Sequence, residues 1–292
     1  MRHCSWYVGL DIQNDYARAI AVQRRRNGWQ LRHWWQQPLP QVVMRQGILH
    51  ETEQLIAILS RWRHSLPSTI SLRICLPAQR IIQVRLPLPD NRLQEPHRHT
   101  FISASAAKQL PLAMESLAID YRVEPCDDQR LIVTAARREE LAQWQHCLAQ
   151  ARLFPEVIEL TPCALQSAAS AAGVSRESLL LHRLSDGWLW ASPHGLPFQF
   201  GLFDDDEVAD PNSLGPTLAP LYLAHKLCDG DIYYTSVIDT APPKGVQNWS
   251  PFAAFSQMSP PFRPTAVRSL SRRVWPFARP TSDAARQSAP LA

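Results

Sequence analysis

Three sets of side chains in this sequence have the types needed for chemistry, and spacing decides which chemistry is open to them. His182, Ser185 and Asp186 are the residue types of an acyl-transfer triad. A nucleophilic serine, however, is presented to its base by a strained G-x-S-x-G elbow, and the chain contains none. His64, His97 and His99 are the metal-ligand candidates, but neither a Cys nor a carboxylate stands at ligand spacing from them. Solvent-facing histidines are expected there. The third set is Trp6, Trp29, Trp34 and Trp35 around the basic run 24–26. This is the aromatic and basic interleaving that binds single-stranded nucleic acid, and equally the pattern of an amphipathic sheet with a solvated turn, which is the reading we adopt. No catalytic residue and no metal site are expected.

Charge bears on the nucleic-acid reading. The chain carries a net charge of +4, but residues 260–292 alone hold +5, so residues 1–259 sum to −1. A surface that tracks phosphates spreads its cations over one face of the fold. Here the cations sit in a tail, and direct nucleic-acid binding by the body is not expected. The Arg cluster of the tail can still make nonspecific contact with DNA or anionic lipid. Cys4, Cys75, Cys126, Cys147, Cys163 and Cys228 form no CxxC pair, and several lie in apolar runs. They read as buried thiols of a reducing compartment. The N-terminus lacks the apolar core of a signal peptide, and no stretch reaches the ~20 apolar residues that cross a bilayer. A cytoplasmic location is expected.

The elements that would position these residues follow from periodicity. At 292 residues, 45% apolar and 19% charged, the chain is long enough for two domains and apolar enough to fold. Strands are predicted over 6–12, 17–22 and 29–35, forming an antiparallel meander. A helix over 51–64 places Leu55, Ile58, Leu59 and Trp62 on one face, and a strand follows over 70–76. Residues 83–140 read as a small α+β insert: a helix over 95–109, and strands at 118–123 and 131–135 joined by a turn at 124–128. A helix over 138–151 and a strand over 156–160 lead to Thr161-Pro162, an N-cap and first-turn proline for an Ala-rich helix. A second three-strand meander runs through 179–182, 188–191 and 198–203. The meander thus occurs twice, which predicts a duplicated, two-lobed fold. A last strand is predicted at 231–238, and residues 256–292 read as a disordered Arg/Pro-rich tail.

An ordered set of motifs carries a family resemblance. Tyr7-Val8-Gly9-Leu10-Asp11-Ile12 followed by a turn and 17–22 resembles the first phosphate loop of the PilM family, the actin-like proteins of type IV pilus assembly. The segment 108–121, ending in Asp120-Tyr121, is similar to that family's helix, apolar-Pro turn and D-F/Y step. Val133-Thr134-Ala135-Ala136-Arg137-Arg138-Glu139 is similar to its V-A-A-R-x-E helix entry. The segment 153–162 resembles its crossing between lobes, and Trp249-Ser250-Pro251-Phe252 its N-P-F close. Together these span residues 6–255.

The resemblance implies an α/β, actin-like (ribonuclease H-like) two-lobed fold. Its first lobe takes 1–82 and 141–172, its insert 83–140, and a truncated second lobe 173–255. It implies an assembly protein of a pilus or DNA-uptake machine, located at the inner face of the inner membrane. Its partner would be the cytoplasmic N-terminal peptide of a PilN-like inner-membrane protein, held in a groove between the first lobe and the insert. It also implies an ATP-Mg site built from two hairpin loops, and here the sequence departs from the family. Asp11 is present, but Gln13 stands where the family has Gly, and Asn14 where it has Ser. A side chain at that Gly position crowds a phosphate or forbids the backbone angle. In the second loop the D-x-G is absent, with His182 or Arg183 near the Asp position, and the adenosine-clasping Gly-Gly is missing around 235–237. Asp11 is then either a metal-site remnant or an ordinary strand-ending Asp at a turn. The expectation is a degenerate phosphate loop at Asp11, Gln13 and Asn14, no cofactor and no ATP hydrolysis. An active ATPase and a nucleic-acid module working through the tail are the rivals.

Overall fold

The computed structural model describes residues 6–255 apart from 27, 41–42, 125, 206–207, 209–213, 226–230 and 240. The tail, Cys4 and Cys228 lie outside the described residues. The chain opens with the antiparallel meander Trp6–Ile12 (β1), Tyr16–Arg25 (β2) and Gly28–Pro38 (β3). β2 alternates strictly: Ala17, Ala19 and Ala21 are buried, whereas Arg18, Ile20 and Val22 on the other face are only partly so. Period-two alternation of this kind marks a sheet with one face in a core. A short hairpin, Met44–Arg45 (β4) and Ile48–Leu49 (β5), turns through Gly47 at φ +76°. A Cβ there would lie 2.9 Å from Pro77, so this position requires glycine.

Thr52–Arg63 (α1) buries Leu55, Leu59 and Trp62, the stripe expected from its 3–4 spacing. Trp35 of β3 stacks on Trp62 at 4.8 Å and 16°, so this tryptophan serves the core. Ile70–Leu76 (β6) then pairs parallel to β1. The insert follows: Ile81–Pro87 (β7), His97–Ala107 (α2), Leu117–Glu124 (β8) and Asp127–Arg137 (β9) form a three-stranded sheet of order β7-β9-β8, with α2 over one face. The turn expected at 124–128 is tighter than that. Glu124 is the last residue of β8, pairs with Asp127, and is 2% exposed.

Arg138–Gln150 (α3) buries Trp144, Cys147 and Leu148 in the same core as α1. Pro155–Leu160 (β10) completes a five-stranded sheet of order β10-β6-β1-β2-β3. Thr161–Ala171 (α4) follows directly. Thr161 does not cap it. Leu160 occupies the cap position, and the Thr161 hydroxyl instead donates to the Leu76 carbonyl at 2.8 Å, tying the helix start to the end of β6.

α4 leaves the first sheet and packs on a second. This is built from Leu179–Arg183 (β11), Gly187–Ala191 (β12), Phe200–Asp204 (β13), Gly215–His225 (α5), Ile232–Ser236 (β14) and Gln247–Asn248 (β15), and closes with a 3-10 turn at Pro251–Phe255. Its strand order, β13-β12-β11-β14-β15, is that of the first sheet element for element. α5 covers one face with Leu179, Leu181 and Tyr234, and α4 covers the other with Leu180, Leu189 and Ala191. The duplication expected from the repeated meander is therefore present, and among the described residues only α5 stands between β13 and β14.

Candidate functional site

The turns that end β1 and β11 meet in the cleft between the two lobes. Asp11 is opposite Arg18 in the β1–β2 ladder, and Gln13 Nε2 donates to Asp11 Oδ2 at 2.9 Å. Burial pushes the Asp11 pKa up, and the Arg18 charge and the Gln13 amide offset this only in part. Arg18 lies 4.7 Å from the Tyr16 ring centroid, and burial lowers its pKa despite the nearby Asp11.

His182 occupies the β11 position that answers to Asp11. Its pKa is pushed down to about 4, first by burial and then by Arg18 of the other lobe, so the imidazole is neutral at pH 7. Arg18 Nε and His182 Nδ1 are both buried without a hydrogen bond. Asn14 Nδ2 donates to Asp186 Oδ2, joining the first loop to the second across 172 residues of chain. Asp11, Asn14, Met44, Gly47, Thr161 and Asp186 line what remains of the cleft, a space of about 30 Å³. Asp11, Gln13 and Asn14 are thus brought together, each held by a side-chain hydrogen bond. The triad types are not assembled: His182 is on β11 facing Arg18, while Asp186 is turned to Asn14.

A second depression, of about 130 Å³, lies where the insert, α4 and the β12–β13 connection meet. Arg122, Glu159, Cys163, Gln166, His194 and Phe198 line it. Arg122 reaches Cys163 Sγ at 3.4 Å and stands over the Phe198 ring at 5.2 Å. Beside it the Glu124 carboxylate accepts the Phe198 N–H at 3.0 Å and pairs with Arg85, whose guanidinium donates to the Phe198 carbonyl. Both backbone groups of one second-lobe residue are therefore held by an ion pair of the insert. Sequence reading missed this clasp, because a carboxylate in a turn-prone run carries no signal of burial. Among the described residues no three His, Cys, Asp or Glu side chains converge as metal ligands. None of the described helices is long and apolar enough to cross a membrane.

Two sheets of identical order around a cleft, with polar turns at the ends of their central strands, define an actin-like ATPase fold. Solved structures agree. The PilM-PilN type IV pilus biogenesis complex matches with a TM-score of 0.62 at 15% identity, over 87% of this chain and 90% of that one. The cytoplasmic domain of EpsL, an inner membrane component of the type II secretion system of Vibrio cholerae, matches at 0.53 and 11%, over 87% and 94%. A Bacteroides thetaiotaomicron protein with an actin-like ATPase fold matches at 0.50 and 9%, over 88% and 96%.

In sequence, the DNA utilization protein HofM of Escherichia coli (strain K12) is 29% identical over 213 residues, 72% of this chain and 82% of HofM. The family model described as type IV pilus assembly protein PilM matches residues 9–177, more than half of the chain. This chain belongs to the PilM family.

Proposed function

We propose that this chain is a nucleotide-independent adaptor of a type IV pilus or DNA-utilisation machine, acting in the cytoplasm at the inner face of the inner membrane. It binds the N-terminal cytoplasmic peptide of a PilN-like inner-membrane protein and catalyses no reaction. Family membership supports the machine; the likeness to a PilM-PilN complex and to HofM supports the partner and the process. The lobes are 1–82 with 141–172, and 173–255, with 83–140 as the insert that walls the peptide groove. The depression at Arg122 and Phe198 opens at that wall.

The observation that carries nucleotide independence is the closed loop pair. Gln13 holds Asp11, and Asn14 holds Asp186. The space left, about 30 Å³, is an order of magnitude below the ~300–1,000 Å³ of ordinary ligand clefts. On this reading the residues do not fit ATP-Mg: Arg18 supplies the positive charge beside Asp11 that a metal would, and Gln13 fills the approach a phosphate needs.

Fluorescence polarisation with the labelled N-terminal peptide of the PilN-like protein encoded beside this gene tests both halves. Saturable binding in the micromolar range without nucleotide, about −8 kcal/mol, is expected. Binding only with ATP-Mg overturns nucleotide independence, and no binding in either condition overturns the adaptor role.

A further inference from the structure

The end of the first sheet opposite the cleft is strongly cationic. β1, β6 and β10 all start there, since Trp6 pairs with Ile70 and Pro155 with Leu72. The β2–β3 turn lies at the same end, because Tyr7 pairs with Val22 and Arg25 with Gly28. α1 finishes there too. The Arg63 guanidinium donates to the carbonyls of Leu66, Pro67 and Ser68 on the way to β6, and to that of Arg152 before β10. One side chain thus holds two loops of this end side by side. The segments 24–29, 61–69 and 152–156 contain six arginines, Arg24, Arg25, Arg26, Arg61, Arg63 and Arg152, and one carboxylate, Glu156. Their balance is +5, in a chain whose residues 1–259 sum to −1. Glu156 accepts the Ser71 hydroxyl, and among the described residues no ion pair includes any of the six arginines. All but Arg63 are exposed.

The same end exposes two large rings. Phe154 is 69% exposed at the α3–β10 turn, next to the fully buried Leu153, and Trp29 is 40% exposed at the head of β3. They stand at opposite edges of the five-stranded sheet, about 19 Å apart by strand spacing, with arginines beside each. A single exposed Phe is ordinary. Two rings set among unpaired cations have the composition of a membrane-contact surface, where guanidinium groups meet lipid phosphates and aromatic rings sit at the headgroup level. A nucleic-acid strand is instead tracked by cations along a groove, whereas these lie across the ends of strands.

We propose that this end of the first lobe docks directly on an anionic bilayer, its arginines on lipid phosphates and Phe154 and Trp29 in the headgroup layer. The inference goes beyond the peptide-binding reading and does not rest on it, since lipid and peptide are assayed separately. Co-sedimentation of the full chain with phosphatidylcholine vesicles that contain or lack phosphatidylglycerol is the test. Binding is expected only to the anionic vesicles and should weaken as salt rises. Residues 260–292 also carry +5, so full-length variants must separate the two sources. Arg24→Glu with Arg26→Glu and Arg152→Glu should weaken binding about tenfold or more, whereas Arg268→Glu with Arg272→Glu and Arg273→Glu should change it less than about twofold. Arg24→Lys with Arg26→Lys and Arg152→Lys keeps the charge and should bind like the parent. Phe154→Ser should weaken binding about threefold and leave its salt dependence unchanged. Equal binding to both vesicle types overturns the proposal, as does binding that is lost with the tail charges and kept without those of the sheet end. Binding of a single-stranded oligonucleotide through the same arginines, with no binding of vesicles, overturns it in favour of nucleic acid.

Discussion

The second sheet is covered on both faces and the first, among the described residues, on one. The strands record this difference. β11 runs Leu179-Leu180-Leu181, buried at every position, because α5 takes one side and α4 the other. β2 alternates, with its alanines buried in the core that α1 and α3 share and with Arg18, Ile20 and Val22 partly buried on the other face. Equal topology therefore does not impose equal burial. A continuous apolar run requires two covering layers, and an alternating one requires a single layer.

Substitutions on equivalent faces test this comparison most directly. Leu189 is fully buried beneath α4, and Leu189→Ala should lower stability by about 4 kcal/mol in urea unfolding. Ile20→Ala on the partly buried counterpart should cost about 1 kcal/mol; equal losses would break the distinction. Next in size is the clasp that anchors the second sheet to the insert. Glu124→Ala leaves Arg85 and the Phe198 N–H without their acceptor and should cost about 3 kcal/mol.

The cleft separates the lobes by charge state. His182 is held neutral with a pKa of about 4 against an ordinary value of 6.5, so the unfolded chain binds the extra proton between those values. Its contribution is in full force above pH 6.5 and is lost as pH falls toward 4. Relative to His182→Gln, the parent should lose about 3 kcal/mol as pH falls across that window. A parent that gains stability over the variant as pH falls through that window would reverse the assignment. The smallest effect belongs to the tie between the loops: Asn14→Ala should cost under about 1 kcal/mol.

Much of the fold was legible because its signals are local. The alternation of 17–22, the 3–4 stripe of α1 and the recurrence of a three-strand meander each lie within a short window, and each appears where expected. Thr161 and Glu124 were misread for one shared reason. A hydroxyl before a helix is a cap by default and a carboxylate beside a proline is a turn by default. Each default was displaced by a partner distant in sequence, Leu76 for one and Phe198 for the other.

The candidate site divides in the same way. That Gln13 and Asn14 follow Asp11 in the first turn, and that either His182 or Arg183 stands near the matching place in the second meander, was decided by the sequence, since residue type and order are read there directly. That Gln13 turns onto Asp11, that Asn14 reaches Asp186, and that Arg18 faces His182 across the cleft was decided only by the tertiary structure. These pairs join chain segments more than 160 residues apart in two of the three cases. Side-chain partners at that separation are set by how two sheets pack, and no periodicity within either strand encodes it.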